Sequence, residues 1–472
     1  MSHSGSGGTP ALLEAGLPAS DPLAARLFPP LSTGVEWGLG RTEGMLAAVG
    51  DPHLAYPTLH VGGTNGKGSV SALLASVLRA AGLRVGLYTS PHLCSFAERI
   101  QVDGRPAAGG ALEESARELR PAMLRFAPTF FEACTALALL HFGREGVDVA
   151  VVEVGLGGRL DATRVIRPLV TAVTNVAMDH ADYLGPTTRH IAREKAGIAR
   201  PGVPFVSAET DPALLSIFRH AAIEVGAPFL PLGEVGGPRE VEVAPERTRF
   251  TMDTRAWGTL RLETALAGAH QAVNGALAVR VLEQLPPELL PSREAVERGL
   301  REVHWPGRLQ FLEKGGVRWV LDVAHNVAGA VALAAAMEGL SFPGPLVVVA
   351  GVLGDKDWRA MLPPIFRGAR LAILTQPPSA PPARRWDPLE VIRVLLPPPP
   401  LEVIPELDVA MARAGEVARG GTVLVTGSNH TVGDALGILG VSPFGSDSPE
   451  IAGSGAYGAV AAPQTGRLDS PP

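Results

Sequence analysis

Lysine and asparagine are so scarce in this chain that those present are enriched for places where their particular chemistry is wanted. Of 41 basic residues only Lys67, Lys195, Lys314 and Lys356 are lysines. Arginine serves wherever a generic positive charge suffices, so a surviving lysine points to a compact ammonium or a nucleophilic amine. Asparagine occurs only at Asn65, Asn175, Asn274, Asn326 and Asn429. Lys67 and Asn65 fall together in Gly62-Gly63-Thr64-Asn65-Gly66-Lys67-Gly68-Ser69. Glycines let such a loop wrap a phosphate, the N-terminus of the following helix adds positive potential, and Lys67 supplies a mobile charge. Two letters depart from the standard phosphate loop: Val61 stands at its first glycine, and Gly68 where Ser or Thr follows the lysine.

Other residues carry chemistry less specifically. Glu153 closes an apolar run, Val147 to Val154, where an unpaired carboxylate is costly. It pairs with a base or holds a cation, and a phosphate loop nearby makes magnesium the natural one. His180 taken alone reads as a structural histidine, since imidazole is an uncommon magnesium ligand. Lys195, in a helical pattern from Thr188 to Ala199, is either a solvated partner of acids such as Glu194 or an amine with a chemical role. Thr129-Phe130-Phe131-Glu132 before an apolar run is a helix capping box. Lys314, in a Glu-Lys-Gly-Gly turn, reads as a surface residue. Cys94 and Cys134 have no nucleophile context and no Cys-x-x-Cys spacing, which excludes a disulfide framework or a thiolate zinc site.

The elements that must position these residues alternate. Pro57 to Val61 reads as a strand, then the glycine loop, then a helix from Ser69 to Ala81. Arg84 to Thr89, Val147 to Val154, Leu169 to Val176 and Val203 to Ser207 read as further buried strands. A second series follows at Arg318 to Val323, Pro345 to Val352, Leu371 to Thr375 and Thr422 to Thr426. The expected fold is α/β: an N-terminal P-loop ATPase-type domain on a mostly parallel sheet, residues 31–305, and a smaller C-terminal Rossmann-like domain, residues 306–440. The Trp305-Pro306-Gly307 turn divides them. Residues 1–30 and 441–472, rich in Gly, Ser, Pro and Ala, read as tails.

The variant loop GTNGKGS resembles that of Mur ligases and folylpolyglutamate synthases, and further motifs follow in the same order. These include Ser90-Pro91-His92-Leu93 with Glu98-Arg99-Ile100, Glu153 through Thr163, Asp179-His180, Glu194-Lys195-Ala196-Gly197, and His270-Gln271 with Asn274. Trp305 through Arg308, Leu321 through Asn326, Asp355-Lys356-Asp357 and Gly427-Ser428-Asn429-His430-Thr431-Val432 complete the series. The last is similar to bacterial bifunctional dihydrofolate/folylpolyglutamate synthases. The resemblance implies ATP bound by Asn65, Gly66, Lys67, Gly68, Ser69, Asn274, Arg308 and Asp322, and Mg2+ held by Ser90, Glu153 and His180. It also implies a carbamylated Lys195, with Lys67, Lys195 and His180 as the catalytic set. Thr129, Phe130, Phe131, Glu132, Leu160, Asp161 and Ala162 would face the pterin, and His325 and Ser428 the incoming glutamate. Arg164 replaces the family's usual asparagine and is expected to border the substrate pocket; Val327 replaces a usual proline.

The implied activity is ATP-dependent addition of L-glutamate to dihydropteroate and to the γ-carboxylate of folates through an acyl phosphate. Rivals are a Mur-type amino-acid ligase and a nucleotide-dependent switch without ligation. A net charge of −6 argues against nucleic acid or an anionic membrane as partner. The N-terminus lacks the basic start and apolar run of a signal peptide, and no apolar stretch reaches membrane-spanning length. A cytoplasmic monomer acting on small molecules (ATP, L-glutamate, dihydropteroate or reduced folates) is expected.

Overall fold

The computed structural model describes residues 21–32, 37–394 and 399–445. Its largest sheet gathers β1 (Thr58–Gly62), β2 (Val85–Tyr88), β3 (Ile100–Val102), β4 (Arg105–Pro106), β5 (Val149–Glu153), β6 (Pro168–Val173), β7 (Phe205–Ser207) and β8 (Phe229–Pro231). The order is β4-β3-β2-β5-β1-β6-β7-β8, parallel from β2 to β8, with β3 and β4 antiparallel at one edge. β1 lies between β5 and β6, pairing Leu59 with Val151 and Val170. Strands buried on both faces need apolar side chains throughout, and all five residues of β5 are buried. One face packs the helix Lys67–Ala80 and the helix Ala269–Leu282; the other packs the helix Phe130–Glu145.

Beside this sheet stands a three-stranded antiparallel one, β9 (Arg239–Ala244), β10 (Arg247–Thr254) and β11 (Gly258–Thr264), which the sequence reading did not anticipate. Its inner side chains Phe250, Met252, Leu260 and Leu262 join the core around Ala269–Leu282. The third sheet comprises β12 (Gln310–Lys314), β13 (Val317–Asp322), β14 (Leu346–Ala350), β15 (Leu371–Gln376), β16 (Leu401–Glu406) and β17 (Thr422–Thr426), in the order β12-β13-β17-β14-β15-β16. Only β12 is antiparallel to its neighbour. Apolar layers cover both faces of this sheet too.

Part of the expected N-terminal tail is packed structure. Pro22–Leu27 is a helix capped by Asp21, whose side chain accepts from the Leu23 and Ala24 amides, and Leu23, Ala24 and Leu27 are buried. Asp21 Oδ2 also accepts from the Phe96 amide at 2.5 Å, and Ser32 Oγ donates to the Ala127 carbonyl at 2.8 Å. Burial of three apolar side chains against the domain outweighs the polar composition around them. Residues 1–20 and 446–472, the rest of the expected tails, lie outside the described residues. Among the described residues no helix is long and apolar enough to cross a membrane.

Candidate active site

Parallel sheets place ligands outside the carboxyl ends of their strands. Here two sets of carboxyl ends converge. The phosphate loop leaves β1, Ser90 follows β2, Glu153 ends β5 and Asn175 follows β6, while Asp322 ends β13 and Ser428 follows β17. Between them lies a cavity of about 790 Å³. Every site residue expected from the sequence lines it: the loop from Asn65 to Ser69, the Ser90, Glu153 and His180 set, Lys195, Asn274, Arg308, Asp322, His325 and Ser428. Thr129 to Glu132 and Leu160 to Ala162 line it as well.

The loop is held from beneath. The Asn65 amide donates to Asn175 Oδ1 at 3.1 Å, and the Asn65 carbonyl accepts from Thr174 Oγ1 at 2.6 Å and Asn175 Nδ2 at 3.0 Å. Gly66, at φ +84°, turns the chain into the helix Lys67–Ala80, and a Cβ there would stand 2.7 Å from Asn274 Oδ1. Glycine is required by both the dihedral and the approach. Lys67 Nζ donates to the Thr64 carbonyl at 3.1 Å. Across the cavity Asp322 accepts from the Leu309 and Ala324 amides, each at 2.9 Å, fixing the turn that carries Arg308.

Glu153 is only 4% exposed. Burial pushes its carboxyl up, against the pull of Lys67 and of the Ser90 amide, which donates to Oε2 at 3.1 Å. Burial pushes the His180 imidazole down to about 3, leaving it neutral and able to ligate. Lys195, also 4% exposed, donates from Nζ to the Gly63 carbonyl at 2.7 Å. Burial, then the neighbouring Lys67 charge, lowers its pKa to about 7. The surface alternative for Lys195 fails on geometry: Glu194 pairs with Arg159 at 2.9 Å instead.

The Thr129–Glu132 capping box forms, with Thr129 and Glu132 each accepting from the other's amide. Arg41 adds a salt bridge to Glu132 at 2.9 Å. The capped helix start also presents an aromatic wall. Phe130 sits edge-on to Phe28, centroids 5.4 Å apart, and to Phe96 at 6.2 Å. Buried Asp161 accepts from the Leu156 amide at 2.8 Å and the Thr163 amide at 3.0 Å. Arg164 is a correction: its Nε donates to the Gly197 carbonyl at 2.8 Å, so the side chain turns toward a loop carbonyl and does not line the cavity. Val327 is the first residue of its helix, where proline's missing N–H would have cost nothing, so valine substitutes freely.

The Mur ligase middle domain matches residues 61–282, and the Mur ligase glutamate ligase domain matches residues 307–429. The dihydrofolate synthase/folylpolyglutamate synthase of Bacillus subtilis is 37% identical over 341 residues, covering 70% of this chain and 79% of that protein. This chain belongs to the folylpolyglutamate synthase family of Mur ligases. It is a ligase, and solved family structures share the architecture of most of the chain. Escherichia coli FolC in complex with DHPP and ADP superposes with a TM-score of 0.80 at 32% identity, covering 90% of this chain and 99% of that one. A Mycobacterium tuberculosis folylpolyglutamate synthase complexed with ADP and AMPPCP gives 0.79 at 30% identity, covering 86% and 96%.

The ligase also joins one residue of the phosphate loop to three, Asp179, Asn326 and Lys356, to which sequence reasoning gave no role. Asn65 and Asn326, from different domains, exchange side-chain hydrogen bonds of 3.1 and 2.8 Å. Asn326 Nδ2 donates to Asp179 Oδ2 at 3.0 Å, and Lys356 Nζ reaches Asp179 Oδ1 at 2.6 Å, each of that pair 8% exposed. Burial alone raises the Asp179 carboxyl, but its hydrogen bond with His325 and the Lys356 charge hold it well below the usual carboxylate range. The rarity of Asn and Lys was the available signal for this seam. Phe28 and Trp37, which also line the cavity, were missed along with the N-terminal helix; Asp21-Pro22, a cap followed by proline, is the signature that marks it.

Proposed function

We propose that the protein joins L-glutamate to dihydropteroate and to the γ-carboxylate of reduced folates, with ATP as co-substrate. The observation that carries this reading is one cavity shared by a phosphate loop, a buried carboxylate, an aromatic wall and residues of a second domain. In the first step the acceptor carboxylate oxygen bonds to the γ-phosphorus of ATP as the bond to the β-phosphate oxygen breaks, giving an acyl phosphate and ADP. Lys67 stabilises the charge that spreads over the transferring group. In the second step the glutamate amine attacks the acyl carbon, phosphate leaves, and the amine gives up a proton. Asn274, Arg308 and Asp322 hold the nucleotide, and His325 and Ser428 the glutamate. Placement of these groups on two domains lets closure exclude water from a hydrolysable intermediate.

The residues present suit magnesium. Among the described residues no group of three or more His, Cys, Asp or Glu side chains gathers as a cage. Magnesium takes one or two carboxylates and fills its octahedron with phosphate oxygens and waters. Glu153, buried with its carboxyl pushed up, offers such a carboxylate, and Ser90 and His180 complete the protein's share. The ion would neutralise phosphate charge and align the oxygens. Lys195, with its lowered pKa, is suited to carry a carbamate that adds a negative group beside it. We place the enzyme in the cytoplasm as a monomer. Glutamate-dependent ADP release, measured with dihydropteroate and with reduced folates, tests the reading; ADP release indifferent to glutamate would refute it.

A further inference from the structure

One corner of the cavity is used by none of the roles above. His92 and Arg99, from the segment after β2, line the cavity together with Arg384 and His430 of the second domain, and His430, two residues after Ser428, feels the charges of Arg384 and Arg99 and acts on His92. The two walls are in direct contact. A Cβ on Gly433, in the helix Asn429–Ile438, would stand 2.1 Å from the Leu93 carbonyl oxygen, so the helix rests on that segment's backbone.

The hydrogen bonds fix which atoms can donate. Arg99 Nε donates to His92 Nδ1 at 2.8 Å. A guanidinium only donates, so Nδ1 is the acceptor and the neutral ring carries its proton on Nε2. Nε2 is buried and meets no hydrogen-bond partner among the described residues, while His92 is 6% exposed. A buried donor without an acceptor is costly in an isolated fold and is explained by a ligand that supplies one. Ser379 Oγ lies 3.0 Å from His430 Nδ1, orienting that ring as well. Arg384 is held by a two-pronged bridge to Asp355, at 3.0 and 2.8 Å. Burial, then the Arg384 and Arg99 charges, lowers the His430 pKa to about 4, which places these basic groups within electrostatic reach of one another. Arg99 lies over the Phe130 ring, 5.4 Å from its centroid, so the corner adjoins the aromatic wall.

We propose that this corner, formed by His92, Arg99, Arg384 and His430, binds a substrate carboxylate that the reaction leaves intact. The inference rests on the glutamate-ligase reading above. Two sources have this chemistry: the side-chain carboxylate of the incoming glutamate, and the α-carboxylate of an acceptor that already ends in glutamate. Dihydropteroate has no such second carboxylate, so it separates them.

The test uses the full chain and the variants His430→Leu and Arg384→Met, with melting temperatures to establish folding. ADP release is titrated with glutamate and with glutamine, using dihydropteroate and a monoglutamyl tetrahydrofolate as acceptors, and each acceptor is titrated in turn. Loss of a hydrogen bond to a charged group raises the relevant KM by roughly ten- to a hundred-fold, with kcat little changed because the contact persists through the reaction. If glutamate supplies the carboxylate, its KM rises with both acceptors and the preference for glutamate over glutamine collapses. If the acceptor supplies it, only the KM for the monoglutamyl folate rises. His430→Gln, which keeps a donor, recovers most of the loss in either case. The two positions lie on different elements, so a variant that fails to fold leaves the other to decide. Folded variants with every KM within about two-fold of the parent overturn the proposal. A parent protein that releases no ADP in response to glutamate overturns the underlying reading instead.

Discussion

Replacing Lys195 tests the chemistry most directly, because its environment sets a number. An ordinary lysine amine has a pKa of 10.5, while burial and Lys67 bring this one to about 7. At pH 7 about half of the Lys195 amines are then neutral, against roughly one in three thousand for an ordinary lysine. Carbamate formation consumes a neutral amine and carbon dioxide and releases a proton. The lowered pKa therefore enlarges the reactive pool by about a thousand-fold, and that pool grows as pH rises through about 7. Activity of protein stripped of carbon dioxide should fall and return on adding bicarbonate, more completely at pH 8 than at pH 6. Carbon-13 bicarbonate should give a carbamate resonance that Lys195→Ala lacks. Lys195→Ala should lose about a hundred-fold in turnover, the scale of losing a group that supports a metal site, and short carboxylic acids should restore part of it. Full activity in Lys195→Arg, whose guanidinium cannot form the carbamate, would refute the reasoning.

Lys67→Ala should leave the melting temperature near that of the parent, since among the described residues its Nζ makes a single hydrogen bond, to the Thr64 carbonyl, yet reduce ADP release by several kcal/mol of transition-state stabilisation, of order a thousand-fold. Lys356→Met removes the cation from the buried Asp179 pair; glutamate KM should rise by about ten-fold or more while nucleotide binding to the protein, read by fluorescent ADP, changes little. Phe130→Ala and Asp161→Asn should harm synthesis from dihydropteroate more than extension of tetrahydrofolate, because both line the aromatic pocket; comparing the two acceptors in one ADP assay checks this.

Most of the parallel strands were legible because they are dominated by apolar runs, as in Val149–Glu153 before its terminal carboxylate and in Leu346–Ala350, whereas the parallel edge strands Phe229–Pro231 and Leu401–Glu406 were not. The loop was legible for a different reason: rare residue types concentrate in motifs, as Asn65 and Lys67 do, although Lys314 stands exposed, and the same rarity marked Asn326 and Lys356 without showing what they bind. What stayed hidden depends on partners far away in the chain. The strands Arg239–Ala244 and Arg247–Thr254 are half exposed and carry many charges, so their pattern is weak until the helix Ala269–Leu282 covers one face. The N-terminal helix spans only Pro22–Leu27, too short to show a period, and its composition resembles a tail. Arg164 was misjudged because proximity in sequence to Asp161 said nothing of the Gly197 carbonyl that captures it.

The helices Lys67–Ala80, Val327–Gly339 and Asn429–Ile438 all begin at carboxyl ends of strands bordering the cavity. Their positive ends therefore share one confined, low-dielectric space, joined by Lys67, Arg308 and Lys356. The molecule as a whole carries −6, the same sign as the nucleotide, amino acid and folate proposed to enter it. An approaching substrate meets weak repulsion from the net charge in bulk solvent, and within about 10 Å of the cavity at ordinary ionic strength it meets a local field that these helix ends and cations set against the carboxylates Glu153, Asp161, Asp179 and Asp322 of the same lining. Salt screens both, and the sign of its effect reports which one governs capture. Slower nucleotide association with added salt would mean that the local funnel prevails over the global charge.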